Sequence, residues 1–267
     1  MICPDRSAAT REALEALYRK YNRREFVHPD PLEFVLSYED SGDREIAGLV
    51  ASSLAYGRVA QILKSVRSVL ERMVRPERFL RRTTAAELEK TFEGFKHRFT
   101  TGEELAAMLL GAKTALDRYG SLERCFVEGM SETDETVLPA LTRFAAAINV
   151  HCGCGGTSLV PKVEAGSACK RLNLYLRWMV RKDEVDPGDW ESVAREKLVV
   201  PLDTHMFRIA RALGMTTRLQ ADARTASEIT AEFRRIAPGD PVKYDFALTR
   251  LGIRSDTNLD EFLAECA

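Results

Sequence analysis

Apolar residues recur at helical spacing along almost all of the 267 residues, and this periodicity is the strongest constraint on the fold. No alternating run of β-branched residues lies between turn residues, so strand signals are nearly absent. The pattern predicts an all-α chain. Residues 8–20 read as an amphipathic helix with Leu14, Leu17 and Tyr18 on one side. Asp30-Pro31 reads as the next helix start, with Asp as N-cap and Pro at the first helical position. Residues 43–56 lack a polar face and carry Ile46, Ala47, Leu49, Val50 and Leu54, which predicts a central buried helix that Gly57 can end. Val59–Met73 forms another, and further helices are expected over 103–117, 121–129, 134–150, 168–182, 204–213, 222–236 and 241–251.

One long irregular stretch interrupts this pattern. Residues 151–167 contain Gly153, Gly155, Gly156 and Gly166, with Pro161 as a further break, and read as a loop. A loop this long inside a compact domain is usually functional or mobile. His151-Cys152-Gly153-Cys154 within it fits zinc spacing poorly and no second cysteine pair follows, so no metal site is assigned. No cofactor motif is identified.

The net charge of −1 gives no global field for a polyanion, so any nucleic-acid surface has to be a local patch. No uncharged apolar run approaches the ~18 residues a membrane span needs. The first twenty residues are already charged and helical in pattern, unlike a signal peptide. Six scattered cysteines in a chain this long make no disulfide framework, so the expectation is a cytoplasmic protein with reduced thiols.

Two segments carry the candidate chemistry. In the first, Ser167 reads as the N-cap of a helix whose Lys170, Asn173, Arg177 and Arg181 share a face, with Leu172, Leu176 and Met179 on another. Only roughly 0.04% of a free lysine is amine at pH 7, so a lysine nucleophile needs surroundings that favour proton loss. A helix start beside another cation, here Arg171, is such a place. The same lysine also fits a solvated helix face. In the second, Pro201-Leu202-Asp203-Thr204-His205 opens a helix that Gly214 ends. Asp203 fits a plain N-cap, and a capping carboxylate can also steady positive charge on a reacting sugar.

The run Val200-Pro201-Leu202-Asp203-Thr204-His205, followed by Ile209-Ala210, resembles the helix-hairpin-helix DNA glycosylases. In that superfamily an aspartate opens a helix after a proline, and bifunctional members carry a lysine upstream, which Lys170 matches. The gap of 33 residues is similar to that of the archaeal 8-oxoguanine glycosylases. More of the chain resembles an uncharacterised bacterial family related to this superfamily, through Gly166 to Asn173, Arg177 to Arg181, and Asp240 to Leu248. Two departures stand out. No Leu-Pro-Gly-x-Gly hairpin precedes Lys170, and the C-terminal four-cysteine iron–sulfur loop of some relatives is missing.

The resemblance implies two helical lobes, 40–182 with Lys170, and 1–39 joined to 183–267 with Asp203. A damaged base, such as 8-oxoguanine, would flip from double-stranded DNA into the cleft between them. Lys170 would attack the sugar and form a Schiff base, Asp203 would stabilise the sugar cation, and the protein would act as a monomer. Tyr56 or Arg58 would fill the gap left by the flipped base. Gly166, Ser167, Arg171, Arg177, His205 and Lys243 would complete the nucleic-acid contacts. Two rival readings are a non-catalytic DNA-binding or damage-sensing module, and a helical enzyme acting on a nucleotide or RNA. Trp178 and Trp190 are expected in the core, as are Phe246, Leu248 and Leu251.

Overall fold

A computed structural model describes residues 4–152, 157–253 and 258–266. The described residues form fourteen α-helices and one short hairpin. In chain order these are α1 (Pro4–Tyr21), α2 (Leu32–Val35), α3 (Ser41–Ser53), α4 (Val59–Met73), α5 (Pro76–Arg82) and α6 (Ala85–Phe92). The hairpin β1 (Lys96–His97) and β2 (Thr100–Thr101) comes next, then α7 (Gly102–Tyr119), α8 (Leu122–Val127), α9 (Leu138–Ile148) and α10 (Lys170–Val180). The last four are α11 (Thr204–Ala212), α12 (Ala223–Ile236), α13 (Asp245–Ile253) and α14 (Leu259–Glu265). No helix among the described residues is long and apolar enough to cross a membrane.

The expectation of a central helix without a polar face is met by α3. Asp40 caps it through the Gly42 and Asp43 amides, and every residue from Ile46 to Ser53 is buried. It packs on α2, α4, α5 and α10. Helix α7 packs on α6, α8 and α9, while α1 packs on α13 and α14, and α11 on α13. At the crossing of α7 and α9 the side chain is limited to hydrogen, because a Cβ on Gly111 would run into the Ile148 carbonyl. Trp178, Trp190, Phe246, Leu248 and Leu251 are all buried.

Helices α5, α6 and α14 and the hairpin are additions to the expected elements. Two expected helix starts move. Asp240 caps no helix, because α13 begins at Asp245 and the Asp240 carboxylate receives two bonds from Arg181 Nε instead, at 2.9 and 3.1 Å. Ser167 is two residues short of the N-cap of α10, which is Cys169 in a left-handed conformation, φ +47°. A left-handed non-glycine residue costs on the order of 1 kcal/mol or more and persists where the surrounding structure over-determines it. The expected Asp30-Pro31 start is met only for one short turn, with Asp30 Oδ1 accepting the Leu32 amide at 3.0 Å.

Beyond the partly exposed Lys170, the polar face of α10 is buried at Asn173, Arg177 and Arg181. Arg177 donates to Asp186 at 3.1 and 3.2 Å and to Asp245 at 2.5 Å. Arg181 binds Asp186 at 2.5 Å, Asp183 at 2.8 Å and Asp240. These pairs tie α10 to α13 and to the irregular segment that follows α10.

A second buried acid lies on α3. Glu45 accepts from the Leu122 and Glu123 amides that open α8, and from Trp190 Nε1 at 2.7 Å. Burial nevertheless outweighs these donors and pushes its carboxyl up to about 7. The unfolded chain releases this proton near 4.5 while the native one keeps it, so native stability falls as pH rises through that window. The loss is expected to be about 3 kcal/mol at most. Denaturant melts of wild type and Glu45→Gln at pH 4.5, 6 and 7.5 should therefore converge or cross as the pH rises. Parallel profiles would remove Glu45 as the cause.

Candidate active site

Four helix starts converge on one cleft of about 670 Å³. Val59, Lys170, Thr204 and Asp245, the first residues of α4, α10, α11 and α13, all line it. Each start presents amides without helical partners and the positive end of a helix dipole. A cleft built this way is suited to a ligand carrying negative charge. Its volume lies in the range of small-ligand sites.

Lys170 and Asp203 meet there. The ammonium nitrogen stands 3.2 Å from Asp203 Oδ2, with the two side chains 35% and 20% exposed. Asp203 Oδ1 accepts the Met206 amide at 2.8 Å, so one carboxylate oxygen caps α11 and the other faces the lysine. The capping role and the cleft role thus coexist. Cys169, beside Lys170, is a buried thiol whose pKa burial pushes up, which disfavours the thiolate form.

Asp245 is a third cleft group, and sequence analysis missed it. It is fully buried, Arg177 holds Oδ2, and Oδ1 has no hydrogen-bond partner. Burial, opposed by Arg177 and reinforced by the nearby Asp203 charge, raises its carboxyl to about 6. The only local signal for it was a helix start, and Asp240-Pro241 offered a more regular one.

The remaining sequence candidates divide. His205 is exposed and lines the cleft, as does Ser167, whose Oγ accepts the Cys169 amide at 3.3 Å. Gly166 is exposed at φ +82°, and its carbonyl takes the Ala223 amide at 3.0 Å, joining this loop to the start of α12. Arg58 is exposed at the N-cap of α4, between two cleft residues. Tyr56 lines the cleft, but its hydroxyl is committed to His97 O at 2.8 Å and Thr100 Oγ1 at 2.7 Å.

Three arginine and lysine candidates have structural work. Arg171 donates to the Ser53 and Ser158 carbonyls and lies over the Tyr56 ring at 5.0 Å. Arg177 belongs to the buried network. Lys243 binds Glu15 at 2.5 Å and does not line the cleft. Among the described residues no cluster of His, Cys, Asp and Glu is suited to a metal ion. His151 shares a 2.8 Å hydrogen bond with Thr114, whereas Cys154 lies outside the described residues.

The family described as a protein of unknown function (DUF2400) matches residues 30–254, a span that includes every cleft residue named above. The chain belongs to this family. No curated protein and no solved structure matches it. In this family member the matched span covers the Lys170–Asp203 pair, Asp245 and all four converging helix starts.

Proposed function

We propose that the chain is a DNA base-excision glycosylase and lyase of the helix-hairpin-helix type, acting on a flipped damaged base such as 8-oxoguanine. The observation that carries this is the 3.2 Å approach of Lys170 to Asp203 inside a cleft of about 670 Å³. Two residues 33 positions apart, in segments that resemble that superfamily, lie within direct charge contact. The four helix starts supply a positive lining for a phosphate-bearing substrate in a chain of near-zero net charge.

The chemistry follows from these positions. Lys170 passes its proton to Asp203 or to water, and its free amine attacks the sugar C1′. The bond from C1′ to the base breaks, and the base leaves with the bonding pair and takes up a proton. Asp203 stabilises the positive charge that develops on the sugar. Opening of the C1′–O4′ bond gives the Schiff base. Loss of a C2′ proton then expels the 3′ phosphate by β-elimination, and water releases the lysine. Asp245 Oδ1, buried at the cleft wall, is an acceptor for an N–H of the base, or a donor when protonated.

Borohydride trapping on duplex DNA containing 8-oxoguanine or an abasic site tests the lysine step. Wild type should form a covalent adduct under conditions that trap a known bifunctional glycosylase, and no adduct would sink it. Asp203→Asn separates the capping role from the chemical one. Asn caps as well as Asp, and the half-solvated ion pair is worth about 1 kcal/mol or less. The variant is therefore expected to melt within a few degrees of wild type while base release falls roughly a hundred-fold or more. Equal losses of stability and activity would reduce Asp203 to a cap. The second reading is a non-catalytic DNA-binding or damage-sensing module on the same scaffold. It predicts salt-dependent binding without base release or adduct.

A further inference from the structure

The hairpin between α6 and α7 ends in an exposed aromatic ring. Phe99 is 77% exposed, although phenylalanine carries no polar group to offset its contact with water. Its position is held from several directions. The Tyr56 hydroxyl bonds both strands of the hairpin, through His97 O and Thr100 Oγ1. His97 itself is buried, with its ring nitrogens 2.9 Å from Ser65 Oγ and 3.1 Å from Tyr56 O.

The turn is strained to present this tip. Arg98, immediately before Phe99, is left-handed at φ +54°, a conformation a non-glycine residue adopts at a cost. Its guanidinium lies between two rings, 5.4 Å from Phe99 and 5.9 Å from Tyr56. Its chain passes over Gly57, where a Cβ would come within 2.8 Å of Arg98 Cδ. Tyr56 and Gly57 both line the cleft, so the tip stands at the cleft's rim. Lys96, Arg98 and Arg58 are exposed around it. Of the two acids in the first turn of α7, Glu104 is turned back onto the Thr101 amide at 3.0 Å and Glu103 is exposed.

We propose that Arg98 and Phe99 form a nucleic-acid contact in which the Phe99 ring stacks on a base beside the cleft and the Arg98 guanidinium takes a phosphate. The inference rests on the DNA reading of the cleft. An exposed ring beside unpaired guanidinium groups fits a ligand that alternates flat aromatic faces with negative charge, as a nucleic-acid strand does. A purely apolar partner would leave the cations of the rim desolvated, and a purely anionic one would leave the ring in water.

The test uses the full chain and a fluorescent duplex carrying an abasic-site analogue. Phe99→Ala is compared with Val74→Ala, a control 70% exposed at the other end of α4. Phe99→Ala is expected to weaken binding roughly ten-fold, within the range produced by removing a base-stacking aromatic. The slope of log affinity against log salt should not change, because no phosphate contact is lost. Phe99→Trp should restore binding, and Val74→Ala should leave it at the wild-type value. If wild type binds and Phe99→Ala binds equally well, the stacking contact is overturned while the cleft reading stands. If wild type binds no duplex at any salt, both fall together.

Discussion

Lys170→Gln is expected to abolish the borohydride-trapped adduct and to lower base release by roughly a thousand-fold or more, the scale seen when a covalent nucleophile is removed. The fold should hardly notice. Lys170 is 35% exposed and its pairing with Asp203 is open to water, so its loss costs about 1 kcal/mol or less. Glutamine keeps the length of the stem and is a good helix former at the first position of α10. Melting temperature, duplex affinity and single-turnover base release, measured together, separate the possibilities. A variant that binds DNA and folds normally but neither traps nor cleaves supports lysine as nucleophile. A variant that still releases base at the wild-type rate sinks that assignment and points to water as the attacking group, with Asp203 beside it.

Arg177→Met should have the largest effect on stability. The substitution fills the space of the alkyl stem but leaves Asp186 and Asp245 buried, with one fewer cation between them. Breaking a buried pair in this way costs about 3–5 kcal/mol, or roughly 10 °C in melting temperature for a domain of this size. Arg181 still holds Asp186, so Asp245 is the acid left most exposed to the loss, with its Oδ1 already unpartnered. Its carboxyl should then rise further, and the variant should regain part of its stability at low pH, where Asp245 is protonated. Thermal melts across pH check this. The outcome also decides Arg177's role. An arginine that contacted a phosphate would lose salt-dependent DNA affinity on substitution and leave the melting temperature unchanged.

Much of the helical layout was readable because it depends on local periodicity and on punctuation by capping residues. The 3.6-residue pattern of α4, α7 and α12, the central burial of α3 and the stop at Gly214 all follow from neighbours in sequence. The misses have both local and long-range causes. Helices α5 and α6 are short and heavily charged, so their apolar stripe is thin. Asp240-Pro241 has the form of a helix start, yet Arg181 claims the carboxylate and the helix opens at Asp245. Ser167 has the form of an N-cap, yet its segment bridges to Asp222 and the chain reaches α10 only through the left-handed Cys169.

For the site, the sequence by itself singled out Lys170 and Asp203, because each stands at a helix start and could take part in proton or charge transfer. It could not say that they touch, since a spacing of 33 positions leaves their separation free. The burial of the polar face of α10 was equally hidden. Spacing puts Asn173, Arg177 and Arg181 on one side, but whether that side meets water or four aspartates is a matter of what packs against it. Only the tertiary structure brought the starts of α4, α10, α11 and α13 to one cleft, turned Asp245 into its wall, and laid the Arg98 side chain over Gly57 of its lining. Local forces fix which residues are helical. The convergence of helix ends is decided by how apolar faces from distant parts of the chain bury one another, and no short window of sequence contains that information.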